Sequence, residues 1–143
     1  MGLDMTLSAR KWFGSNEPLR NELAALCKSP LPVNEVLCEA MYWRKANAIH
    51  NFFVERVQND QDDCREYDVS REDLKALVDI CNETLLSPEI AHHILPTRSG
   101  FFFGPTEYDE YYFDQLRETV EQLTELTTNP AWASWEFTYS SSW

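Results

Sequence analysis

Two short stretches near opposite ends of the chain alternate apolar and polar residues. In LDMTLSAR, Leu3, Met5, Leu7 and Ala9 share one side and Asp4, Thr6, Ser8 and Arg10 the other; in WEFTYS, Trp135, Phe137 and Tyr139 share a side. A period of two marks a half-buried strand. A lone strand cannot satisfy its backbone groups, so the two are expected to pair with each other. That requirement constrains the fold more than any other feature: the chain leaves a sheet after its first strand, builds its helices, and returns. The aromatic run GFFF, Gly100–Phe103, is a candidate third member of the sheet.

Between the two strands the apolar period is mostly helical. FGSNEP offers a break and a helix start, with Asn16 as N-cap and Pro18 in the first turn. Leu19, Leu23 and Leu26 then form a short stripe that ends at the prolines of KSPLP. From about Asn34 to Gln58 apolar residues occupy nearly every direction of a helical wheel, which predicts one long central helix. QNDQDDCREYDVS reads as a loop with a short extended piece at Tyr67–Val69. Ser70 and Asp73 resemble a capping box before the stripe Leu74, Leu77, Val78, Cys81 and Leu85. Ser87-Pro88 opens another short helix through EIAHHIL. Thr106 and Asp109 cap a last one with Tyr112, Leu116, Val120, Leu123 and Leu126 inside. At 143 residues without a linker or repeat, the expectation is a single α+β domain spanning 1–143: helix-rich, with a small antiparallel sheet pairing the N- and C-terminal strands and the helices on one side.

Charge narrows the function classes. Twelve basic against 24 acidic residues give a net charge of −12, which argues against direct nucleic-acid binding. The acids are bunched, seven within residues 60–73 and seven within 107–125, where Arg117 is the only basic residue. Two solvated faces explain such bunching; so does an acidic surface for a basic partner, with Asp60, Asp62, Asp63, Glu66, Asp109, Glu110 and Asp114 as its contacts. No apolar run approaches the roughly 20 residues of a membrane span. MGLDMT fits the loose myristoylation pattern, but Leu3, Met5 and Leu7 read better as a strand face. The N-terminal residues lack the basic and apolar regions of a secretory signal, and Cys27, Cys38, Cys64 and Cys81 show no CxxC spacing. Reduced thiols in a cytoplasm are therefore expected, with Cys27, Cys38 and Cys81 packed on helices.

Catalytic motifs are missing. GxSxG, Walker A and GxGxxG do not occur, and four glycines leave little scope for a phosphate cradle. His92, His93 and Cys64, or Asp60, Asp62 and Asp63, make poor metal sets, because adjacent helical histidines diverge and the loop lacks the Gly and Glu of an EF-hand. No catalytic residue, metal or cofactor is expected. Two constellations stand out. In YWRKANAIHNFF, Asn47 and His50 lie among apolar neighbours: either a hydrogen-bonded core pair, or a pocket with Trp43 stacking, Arg44 and Arg98 meeting charge, and Asn47 and His50 reading polar edges of a nucleotide or similar metabolite. An enzyme with His50 as acid/base is the third reading. In RSGFFFGPTEYDEYY, Arg98, Phe102 and Tyr108 mark a recognition loop, since three consecutive Phe cannot all point inward.

MGLDM, YWRKANAIHNFF, DDCREYDVS, SGFFFGPTEYDEYYF and the ending SSW together resemble a family of small phage- and prophage-encoded proteins. The likeness covers most of the chain in order, except residues 11–36, and carries no reaction or catalytic residues. It implies a protein made in the cytoplasm of an infected bacterium. Its expected role is non-enzymatic: to occupy and inhibit a host protein complex, anti-CRISPR-like activity being one instance. A basic nucleic-acid-binding groove on that host protein is the natural target.

Overall fold

A computed structural model describes residues 2–143. Four strands form one antiparallel sheet in the order β2-β1-β4-β3: β1 Asp4–Trp12, β2 Glu35–Arg44, β3 Tyr67–Val69 and β4 Glu136–Ser142. The two ends of the chain pair as expected, Met5 opposite Ser141 and Ala9 opposite Phe137. Leu3, Met5, Leu7 and Ala9 have no exposed surface, and Phe137 and Tyr139 lie beside them on the same inward face. Against that face pack α2 Asn47–Arg56, α3 Arg71–Leu86, the single turn α4 Ala91–Ile94, and α5 Glu110–Thr128. α1, Leu19–Leu26, lies in the β1–β2 connection and buries only Ala24.

The long helix expected over 34–58 is instead a strand followed by a helix, and the cause is a β-bulge. Leu7 faces Met41 but Ser8 faces Glu39, which leaves Ala40 as an extra residue on β2. Inward positions are therefore even before the bulge (Val36, Cys38) and odd after it (Met41, Trp43). The period of two changes phase mid-strand, so on a helical wheel the apolar residues point in every direction, as on a buried helix. Leu37, one of the apolar residues of that expected helix, is 57% exposed on the outer side. Lys45 then takes a left-handed conformation (φ 54°) and donates its N–H to the Leu3 carbonyl at 2.7 Å, which ends the strand. α2 keeps the expected central role: Asn47 through Val54 are all buried.

Smaller differences have equally local causes. Pro18, not Asn16, stands at the start of α1, and Asp109 alone caps α5, accepting from the Tyr112 N–H at 3.0 Å. Thr106 instead gives its carbonyl to the Thr97 hydroxyl. Ser70 and Asp73 form the capping box of α3. GFFF does not join the sheet. It is a turn closed by Phe103 N–H to the Gly100 carbonyl, touching β1's entry through one bond, Leu3 N–H to the Phe102 carbonyl at 3.3 Å. A side chain at Gly100 would collide with the Phe103 ring, and Gly104 (φ 88°) lies flat on the Lys45 stem, where a Cβ would come 2.9 Å from the Lys45 Cβ. Cys38 lies on β2 and Cys27 ends α1, while Cys81 is buried on α3 as expected; all four thiols are free. No helix among the described residues is long and apolar enough to cross a membrane.

Candidate functional site

The polar groups of α2 are held by neighbours far along the chain, and Asn47 and His50 do not bond each other. His50 sits between β4 and the loop after α2, with Nδ1 2.6 Å from the Tyr139 hydroxyl and Nε2 2.9 Å from Asp62 Oδ1. Asp62 can only accept when ionised, so Nε2 carries the proton, Nδ1 accepts, and Tyr139 donates. Asp62 returns to the helix because Asn59 and Asp60 both adopt positive φ, turning the chain back on itself. Its second oxygen meets Arg98 Nε at 3.2 Å, and Arg98 Nη1 donates to Asn51 Oδ1 at 2.8 Å. Asn47 gathers the same segment from inside: its amide donates to the carbonyls of Phe103 and Pro105, and its oxygen accepts from the Arg98 N–H.

Tyrosine, histidine and aspartate in this order look like nucleophile, base and orienting acid. The surroundings are those of a packed core. Tyr139 and His50 are completely buried. Phe53 stacks on the Tyr139 ring at 3.9 Å, and Phe103 stands edge-on to His50 at 5.3 Å. Burial, reinforced by Asp62, pushes the Tyr139 hydroxyl well above its ordinary pKa. Burial also lowers His50, against the pull of Asp62, so the imidazole is neutral. The row Tyr139–His50–Asp62–Arg98 thus ties β4, α2, the 57–66 loop and the 96–105 segment together. Its Tyr139–His50 end has no exposed surface, while the Asp62 and Arg98 side chains at the other end keep 19% and 33% exposure.

The other residues singled out from the sequence are dispersed. Trp43 is buried, with its indole N–H on the Thr119 hydroxyl at 2.8 Å and its ring against Phe53. Arg44 is exposed near Asp4. Tyr108 is half-buried and accepts from the Thr97 N–H. Of the three Phe, Phe103 points inward, whereas Phe101 and Phe102 are 71% and 45% exposed. Tyr139 completes the polar network, and Thr119 separately accepts the Trp43 indole N–H; neither was singled out from the sequence. A tyrosine on the inward side of WEFTYS needs a buried partner, and that was the available signal.

The two acidic segments differ. In the first, Asp62 is engaged as above, Asp63 pairs with Arg65, Glu66 with Arg10 and Asp73 with Arg56. In the second, Glu107, Asp109, Glu110, Asp114, Glu118, Glu121 and Glu125 are all exposed. From Glu110 onward they recur every three or four residues, forming a row about 22 Å long on one side of α5. Arg117 bonds Glu110 and Asp114; among the described residues Glu118, Glu121 and Glu125 have no basic side chain within salt-bridge distance.

Where α5 meets the end of β2, a groove of about 330 Å3 is bordered by Tyr42, Arg44, Tyr111, Asp114 and Glu118. Tyr111 and Gln115 donate to the Arg44 carbonyl at 2.7 and 3.0 Å, and Gln122 donates to the carbonyl freed at the Ala40 bulge. These bonds hold the helix to the sheet edge. Burial, then the nearby Glu118, raises the Tyr111 hydroxyl above its usual pKa. Among the described residues no group of three or more His, Cys, Asp and Glu side chains converges as a metal site would. No family model, no curated protein and no solved structure matches the chain.

Proposed function

We propose that the chain is a non-enzymatic binding protein whose α5 presents an acidic face to a basic partner. The observation that carries this is the exposed carboxylate row from Glu110 to Glu125, in which Glu118, Glu121 and Glu125 have no basic partner among the described residues. Charges left open attract an oppositely charged surface over a Debye length of about 8 Å and steer its approach. The 60–73 segment, by contrast, directs much of its charge into internal pairs. In the context that the resemblance suggests, the partner is a host bacterial protein with a basic nucleic-acid-binding groove, and occupying that groove inhibits it, as an anti-defence protein would.

The test is affinity capture from bacterial lysate at low and high salt, with two variants alongside the native chain. A stoichiometric protein released by salt, lost with Glu118→Gln/Glu121→Gln/Glu125→Gln and retained with Asp60→Asn/Asp68→Asn, is the expected result. Capture that is insensitive to both salt and the α5 substitutions would refute the proposal.

A further inference from the structure

We infer that the groove between β2 and α5 receives an arginine side chain of the basic partner; this rests on the reading of α5 as the binding face. Tyr42 and Tyr111 stand at its walls, 45% and 47% exposed. Both hydroxyls are engaged, Tyr42 with the Asp4 carboxylate and Tyr111 with the Arg44 carbonyl, so what each offers a ligand is its ring. Ring faces attract cations. Glu118 on the same groove has no basic side chain within salt-bridge distance among the described residues, and Asp114 shares Arg117 with Glu110. The basic residue on the lining, Arg44, has a carboxylate within 4.0 Å at Asp4. Aromatic rings beside a free carboxylate suit a planar, delocalised cation that stacks and pairs at once, which favours guanidinium over a strongly hydrated ammonium. The volume is that of a small ligand pocket, enough for one long side chain.

The groove also occupies a defined place in the acidic row. Its lining includes Asp114 and Glu118 but not Glu121 or Glu125, so an arginine seated there leaves those two to meet neighbouring cations of the same segment. The proposal thus separates an anchor from a rim.

The experiment titrates the full chain with a short Gly/Ser peptide carrying several arginines, by calorimetry and by the ring-proton NMR signals of tyrosine. Glu118→Gln and Tyr42→Leu should each weaken binding about three- to tenfold. Replacing the arginines by lysines should also weaken it, and the Tyr42 and Tyr111 ring signals should shift on binding to the native chain. Affinity that falls with Glu121→Gln/Glu125→Gln but not with Glu118→Gln, with unshifted tyrosine rings, would overturn the groove and leave the acidic face standing. Failure of the arginine peptide to bind the native chain at low salt would overturn both.

Discussion

Replacing Tyr139 by Phe removes one oxygen and keeps the ring stacked on Phe53, so it isolates the bond to His50. His50 Nδ1 then becomes an acceptor without a donor in a site with no exposed surface. Leaving a buried polar atom unpaired costs about 1–3 kcal/mol. Unfolding entropy near 2.1 cal/mol/K per residue gives roughly 0.3 kcal/mol/K for a chain of this length, so the melting temperature should fall by about 3–10 °C. Calorimetric melts of the native chain, Tyr139→Phe, His50→Leu and the double variant complete a cycle. The double variant should cost less than the two singles together, by about 1 kcal/mol, because each single already loses the shared bond. A Tyr139→Phe melt within a degree of native, or strictly additive losses, would refute the buried row as a tie between β4 and α2.

Stability should fall on mild acidification. Unfolded His50 takes up a proton near its ordinary value of 6.5, whereas the folded imidazole, lowered by burial, does so only further down. Between those values the unfolded chain binds more protons, so stability is full above pH 6.5 and declines as pH drops through the window. Chemical denaturation across that range should show the slope, and His50→Leu should flatten it; an unchanged slope in the variant would assign it to other groups. Gly104→Ala should destabilise by more than about 1 kcal/mol, since φ is 88° and the new methyl would press on the Lys45 stem. A denaturation midpoint equal to native would mean that the turn relaxes freely.

The sheet's end-to-end pairing was legible because Leu3, Met5, Leu7 and Ala9 at one end and Phe137 and Tyr139 at the other alternate with polar residues, although the inward side of β4 ends on the buried Ser141. The helices α3 and α5 were legible from their stripes and from the capping residues Ser70 and Asp109. What hid β2 was a single residue. The bulge at Ala40 shifts the period by one, and two half-strands of opposite phase imitate an all-round apolar helix. The polar constellation was half legible: Asn47 and His50 were recognisable as buried polar groups, but their partners Asp62, Arg98, Phe103 and Tyr139 lie 12 to 89 residues away. Sequence spacing on one helix suggested that they bond each other. Long-range topology decided otherwise, and no local pattern encodes which loop returns to which face.

The acidic row has a physical consequence for how it would hold a partner. Its carboxylates recur about every 5–6 Å along α5, whereas phosphates recur about every 3.4 Å along each strand of a DNA duplex. A protein groove built for nucleic acid would therefore meet fewer charges here than on its natural ligand, and charge matching alone would make this chain the weaker competitor. A competitor deficient in charge needs contacts that DNA cannot make. Aromatic rings standing beside the row, at Tyr42 and Tyr111, are such contacts, because they hold an arginine through its face rather than its charge alone and are less weakened by salt. The proposed face and the proposed groove are accordingly one mechanism: the row steers a basic surface to α5, and the groove slows its departure. Raising salt should then lower the association rate strongly, while Tyr42→Leu should act on dissociation. Surface-binding kinetics with the captured partner separate the two, and a Tyr42→Leu effect confined to the association rate would break the link.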